Sequence, residues 1–205
     1  MRISHPFQFK PYLGTVFQTY LLFDLGEELG LIDQHAAHER IRYEKLRKTI
    51  FKNDRPTIQA LLLPEALQFD AEQLPIIEER LNLLTQMGFE VEVFSGQSVL
   101  FRGVPAAWGT DSLRIRLKSL LERVLELPKN EISNQTLMDE TLFEKLASEA
   151  CHSAIRAGDH LEREEGLSLV DDLFACEHPW NCPHGRPTVA RVPKTKFEEW
   201  FSRKI

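Results

Sequence analysis

The sequence predicts an α/β fold, and three stretches carry that prediction. Thr15 to Asp24 and Leu29 to Ile32 are β-rich and flank Leu25-Gly26-Glu27-Glu28, the pattern of a hairpin. From Gln34 to Phe51 the apolar residues Ala36, Ala37, Ile41 and Leu46 fall at helical spacing with charge between them. Residues 65–136 then follow a rhythm of their own, helix, strand, strand, helix, and contain no Cys or His. That segment reads as an inserted external lobe with no visible chemistry.

Composition narrows the classes. The chain has 205 residues, 42% hydrophobic and 27% charged, which is ordinary for a globular protein of one domain or two small lobes. No apolar run approaches the roughly 20 residues needed to cross a bilayer. Met1-Arg2-Ile3-Ser4-His5 leads into no signal-peptide core, so a cytoplasmic protein is expected. The net charge of −6 argues against an autonomous nucleic-acid binder, which carries a basic surplus. A chain of this charge that acts on DNA needs something else to hold it there. Cys151, Cys176 and Cys182 cannot close a disulfide framework, and the histidines near them point to metal or core roles.

In order, residues 1–14, with Pro6, Pro11 and Gly14, read as a linker remnant. The hairpin and the Gln34–Phe51 helix follow, the helix ending at Asn53-Asp54-Arg55-Pro56. Thr57 to Pro64 has the pattern of a core strand, and Glu65 to Phe69 of a short extended piece. Asp70 is placed to cap a helix running through Met87 that Gly88 stops. Phe89 to Phe94 and Ser98 to Val104 are strands. A helix capped by Asp111 or Ser112 then runs to Leu127, amphipathic through Leu113, Leu117, Leu120, Leu121 and Val124. Thr136 to Ala157 is a helix closed by Gly158, and Leu161 to Ala175 another, weakened at Gly166. A loop dense in Cys and His fills 176–187. Thr188 to Val192 is a strand, and a last short helix starts at Pro193.

The chemistry gathers at two places. Asp33 stands where strand hands over to helix, and His35 and Glu39, four apart, share one helix face, the geometry two metal ligands need. Glu44 is rotated away from both and reads as a structural partner of Arg40 or Lys48. Far along the chain, Cys182 and His184 stand two apart in an extended segment, so both project to one side, and a thiolate with an imidazole suits Zn²⁺. Cys151 lies on an apolar helix face, where a cysteine is ordinarily a small core residue. Cys176 and His178 repeat the Cys-x-His spacing, and a local zinc knuckle of Cys176, His178, Cys182 and His184 is the competing arrangement. Arg186 is placed to neutralise a phosphate or to pair with a carboxylate. His38, His152 and His160 read as packing or solvated residues, and Glu162 to Glu165 as solvated charge.

These strings carry a resemblance. Asp33-Gln34-His35-Ala36, with Glu39 and Glu44, is similar to the endonuclease motif of the MutL family of DNA mismatch repair proteins. Ala150 to Asp159 resembles that family's second signature, and Cys182-Pro183-His184-Gly185-Arg186-Pro187 its third, all in family order. The resemblance covers nearly the whole chain and concerns the C-terminal half of such proteins. The Asn-bearing helix and glycine-rich lids of an ATP site are not in it.

The resemblance implies a two-lobed α/β fold. A mixed-sheet dimerisation and endonuclease lobe is built from 15–64 and 137–205, with the external, regulatory lobe at 65–136. It implies a metal-dependent endonuclease that nicks duplex DNA and forms a homodimer. Asp33 and Glu39 would be catalytic; His35, Glu39, Cys151, Cys182 and His184 would hold metal; Arg186 would meet the phosphate. The tightly held ion would be Zn²⁺, with a looser Mn²⁺ completing the catalytic set. Gln59, Leu62 and Pro64 fit the Gln-x-x-(Leu/Ile)-x-Pro peptide with which similar proteins dock the replication sliding clamp. The N-terminal ATPase half and the mismatch recognition protein MutS are the other implied partners, and the nucleoid the place. DNA would be delivered by those partners, so the fragment alone would nick poorly. The alternatives are a non-catalytic dimerisation and clamp-docking module with a structural zinc, and a metal-sensing regulator. The regulator would need a basic recognition helix, and none is visible apart from the motif helix itself.

Overall fold

The computed structural model describes residues 5–51, 57–94, 97–110, 112–128, 137–152 and 161–203, with side chains for all of these except 148–152. The chain divides into two compact units, residues 1–41 with 155–205, and residues 42–154. The division falls inside one helix, α1 (Gln34–Phe51), between Ile41 and Arg42. The insert expected over 65–136 lies within the second unit, which also takes in the end of α1 and the helix that follows the insert.

The first unit is a four-stranded sheet of β1 (Tyr12–Val16), β2 (Tyr20–Asp24), β3 (Glu28–Asp33) and β7 (Val189–Pro193), side by side in that order. Thr15 to Asp24, read above as one strand, is two. Phe17 and Gln18 both take positive φ, at 52° and 51°, and the Thr19 N–H donates to the Val16 carbonyl at 3.1 Å. This is a mirror-image turn centred on Phe17 and Gln18 within a three-residue connection, residues 17–19, made without the Asn-Gly that usually announces such a turn. Every pairing in the sheet is antiparallel, where the resemblance implies a mixed one, because β3 has β2 on one side and β7 on the other and both run against it.

Alternation along the strands decides the faces. Leu21, Phe23 and Ile32 are fully buried and pack with Ala37 and Ile41 of α1 and with Leu169, Val170, Leu173 and Phe174 of α6 (Arg163–Phe174). Residues 5–14 are not a linker in the structure. Phe7 is in this core, and His5 stacks on Phe174 at 4.8 Å and bonds Asp171 at 3.0 Å. The reason is aromatic burial: Phe7 fills the space over Gly30, where a Cβ would come within 2.5 Å of its ring.

The second unit holds the three-stranded sheet β4 (Ile58–Gln68), β6 (Ser98–Pro105) and β5 (Glu90–Phe94), with β6 central and buried. Helix α4 (Leu113–Glu126) and helix α5 (Glu140–His152) also belong to it, α4 burying Leu117, Leu120, Leu121 and Val124, and α5 Phe143, Leu146 and Ala147. The single helix expected over 70–87 is two short ones, α2 (Leu74–Glu78) and α3 (Leu81–Gln86). At Arg80 the backbone leaves the helix, and the buried guanidinium donates to the Val124 and Leu125 carbonyls at the end of α4. A charge at a helix C-terminus meets both the dipole and the orphan acceptors there, which accounts for the break. The glycine stop expected at Gly158 lies outside the described residues. Helix α7 (Lys194–Trp200) follows β7 directly.

Candidate metal centre

The centre is built where β3 runs into α1. Asp33 ends the strand, its N–H donating to the Thr188 carbonyl at 2.9 Å. Its Oδ1 accepts the N–H groups of His35, at 2.9 Å, and Ala36, at 3.0 Å, so the carboxylate caps the helix it opens. Buried Gln34 holds the same junction from the other side. Its N–H reaches the Thr19 carbonyl at 3.0 Å, and its side-chain amide donates to the Gln18 carbonyl.

One turn on, His35 Nε2 lies 3.1 Å from Glu39 Oε1, as a separation of four on one helix face allows. The second oxygen of Glu39 is 3.2 Å from Nδ1 of His184. Cys182 Sγ is 3.8 Å from that same Nδ1. The ligand atoms of Glu39, Cys182 and His184 all lie within 4.8 Å of one another.

A short turn presents Cys182 and His184. The Gly185 N–H donates to the Cys182 carbonyl at 2.9 Å, and the Cys182 N–H to the Arg186 carbonyl at 2.8 Å. Pro183, His184 and Gly185 are thus the three residues of a tight hairpin, and Gly185, at φ 82°, occupies the left-handed position that such a loop requires. Asn181 and Pro187 form a bridge at its base.

Electrostatics make this an uncommon place. Glu39 is only 1% exposed, and a carboxylate so buried is costly unless it is paired. It is paired with two imidazoles, one on each oxygen. Burial pushes the Cys182 thiol above its ordinary pKa; the backbone groups of His184 and Arg186 pull it down, and Glu39 pushes it up again. A thiol, an imidazole and a carboxylate that converge are the mixed donor set of a Zn²⁺ site, so the residues present fit that ion.

The remaining candidates fall differently. Asp33 is at the mouth of the helix but outside the three-ligand group, its Oδ1 occupied by the cap. The Cys151 side chain lies outside the described residues. Arg186 is exposed on the turn. Cys176 bonds the Asp172 carbonyl at 3.5 Å, and neither it nor exposed His178 belongs to the group, so no local knuckle forms among the described residues. Glu44 pairs with Lys48 at 3.5 Å, and His38 Nδ1 contacts the Gln34 carbonyl at 2.8 Å. Gln59, Leu62 and Pro64 lie on β4 in the second unit. The ladder to β6 shifts register between Ala60 and Glu65, and Leu62 and Leu63 stand 102% and 83% exposed. The core strand expected there is an edge strand with most of its apolar side chains in solvent and Leu61 packed against the core. Sequence reasoning missed Arg40 and Asn181. Arg40 Nε donates to the Asn181 carbonyl at 2.6 Å, and a main-chain acceptor leaves no residue-type signal.

The family model of the MutL C terminal dimerisation domain matches residues 13–161. The chain belongs to the MutL family. It is similar to the DNA mismatch repair protein MutL of Symbiobacterium thermophilum, 38% identical over 192 residues, covering 93% of this chain and 30% of that protein. The same protein of Clostridium acetobutylicum is 36% identical over 191 residues, with coverage of 93% and 30%. That of Caldanaerobacter subterraneus is 34% identical, with coverage of 93% and 31%. The chain thus spans about 30% of the length of the curated relatives it matches. It carries the MutL C-terminal dimerisation domain, which supports a homodimer. No helix among the described residues is long and apolar enough to cross a membrane. The family model's match stops short of Cys182 and His184, so for these two MutL residues the geometry of the turn is the argument.

Proposed function

We propose that this chain is the metal-dependent DNA-nicking domain of a mismatch repair MutL protein. One observation carries the reading: the buried Glu39 carboxylate lies between His35 and His184, with the Cys182 thiol beside it. His35, Glu39, Cys182 and His184 would hold a tightly bound Zn²⁺. A divalent cation at the site supplies the Lewis acidity that phosphodiester hydrolysis needs, and a looser Mn²⁺ is the second such ion. Asp33 orients water at the helix mouth. Arg186, exposed on the ligand-bearing turn, meets a phosphate oxygen with a charge-assisted bond.

The partners follow from charge and surface. At −6 this chain does not gather DNA by itself, so the duplex is delivered by the ATPase half of such proteins, with MutS upstream, and by the sliding clamp. Docking to the clamp uses Gln59, Leu62 and Pro64; exposed Leu62 and Leu63, outside the strand ladder, support that use. Leu62→Asp is expected to weaken binding to a bacterial sliding clamp at least tenfold in surface plasmon resonance, with the chain still folded. Unchanged binding would remove the clamp from the reading.

A second reading is favoured by one contact. Oδ1 of Asp33 is engaged as a cap, as it would be in a dimerisation module whose zinc is purely structural. Nicking of supercoiled plasmid in Mn²⁺ separates the two, with the chain placed behind the remainder of a MutL relative. Glu39→Gln, His184→Ala and Asp33→Asn are each expected to lower nicking by two orders of magnitude or more. Nicking that survives Asp33→Asn, while loss of metal unfolds the chain, would establish the structural-zinc module instead.

A further inference from the structure

We infer that Arg40 and Asn181 are positioning residues that hold the Cys182–His184 turn at its working distance from Glu39. The inference rests on the metal reading above and assigns a role to two residues outside the ligand set. The bonds that close the turn, Cys182 N–H to Arg186 and Gly185 N–H to Cys182, are internal to it. They fix its shape and leave its distance from α1 unset. Its exit is tied to the motif by the Asp33 N–H on the Thr188 carbonyl. Its entrance is tied by Arg40, whose Nε meets the Asn181 carbonyl at 2.6 Å, one residue before Cys182. Arg40 is itself one residue past Glu39, so a single short bond couples a neighbour of one ligand to a neighbour of another.

Asn181 adds a second restraint. Its side-chain amide donates to the Gly185 carbonyl at 3.2 Å and braces the turn across its width. Arg40 is 9% exposed, so its guanidinium is held by its surroundings and not by chance contact at the surface. The fork geometry matters. Lysine keeps the charge and much of the stem but has no donor at the Nε position.

The test is a Co²⁺ titration of the metal-free 205-residue chain, followed through thiolate-to-Co²⁺ charge-transfer absorption, with urea unfolding of the same metal-free samples alongside. Arg40→Lys is expected to raise the Co²⁺ dissociation constant about tenfold or more, the scale on which residues supporting metal ligands act. Asn181→Ala, which removes one exposed hydrogen bond, is expected to raise it about two- to tenfold. Neither is expected to move the urea midpoint of the metal-free chain. Wild-type affinity in both variants would overturn the inference, and so would affinity losses matched by equal losses of fold in both. Should Arg40→Lys fail to fold, Arg40→Gln is titrated in its place, because Asn181→Ala leaves the main-chain acceptor of Arg40 intact and decides only the brace across the turn. A wild-type chain with no thiolate band would sink the metal reading, and this inference with it.

Discussion

Asp33 caps α1 with the carboxylate to which the proposed chemistry also assigns a task, and substitution can separate the two. Its Oδ1 takes two N–H groups at the head of α1, a duty that an asparagine oxygen performs as well and an alanine not at all. Its charge adds a small interaction with the helix dipole, and the chemistry proposed needs that charge outright. Asp33→Asn is therefore expected to leave the urea midpoint near wild type while nicking is lost. Asp33→Ala is expected to cost about 1 kcal/mol of stability besides. Equal destabilisation by both would mean that the cap contributes nothing. The same residue marks what a sequence can tell at this scale. The spacing of His35 and Glu39 is a property of helices, so it could be read without coordinates; Cys182 and His184, expected in extended chain, stand instead on a tight turn, where Gly185 reverses the backbone. That Glu39 and His184 meet across 145 positions of sequence is not a spacing and came only from the family strings. Arg40 was legible only as a charge on a helix, because its acceptor is a main-chain carbonyl.

Strands were legible by composition and their junctions were not. β2 and β3 follow from a β-rich pattern around Gly26. The turn between β1 and β2 is invisible because Phe17 and Gln18 are poor residues for left-handed backbone, and a reader scanning for Asn-Gly passes over them. Likewise the break at Arg80 answers to the carbonyls of α4, far along the sequence. Pro6, Pro11 and Gly14 give the N-terminal segment the composition of a linker, while Phe7 binds it to β3. Gly30 tests that packing. A methyl there would lie 2.5 Å from the Phe7 ring and 3.0 Å from Leu25, and the ring is hemmed in by Phe23 and Phe174. Gly30→Ala is expected to destabilise the chain by about 1–3 kcal/mol, as overpacking of a filled core does. Pairing it with Phe7→Leu, which vacates the ring's space, should recover part of the loss in urea unfolding. If Gly30→Ala alone is neutral, Phe7 does not pack on β3 as described.

Assembly is the largest scale on which the first unit can be read. Its sheet has two faces, and among the described residues one of them packs on the core. On the other, the register sets Val16 opposite Tyr20, Leu22 opposite Leu31, Leu31 opposite Ala190 and Leu29 opposite Val192. All of these are half-buried or exposed, and Val16 and Tyr20 each retain 37% of their surface. A contiguous apolar sheet face of this kind is rare on a protein that stays a monomer. A two-fold pairing of identical faces would cover it in both copies. The family model is that of a dimerisation domain, so a second copy of this chain is the occupant proposed for that face. Because none of these side chains belongs to the buried cluster beneath, charge can be placed on them without opening the core. Leu31→Asp sits at the middle of the face and would bring two carboxylates together in any pairing that uses it. It is expected to give a monomer by light scattering after size exclusion, at concentrations where the wild type is a dimer, with the circular dichroism spectrum unchanged. Asp24→Ala, on the same face but at its polar end, serves as the control and should remain dimeric. A Leu31→Asp chain that still scatters as a dimer would move the interface elsewhere on the domain.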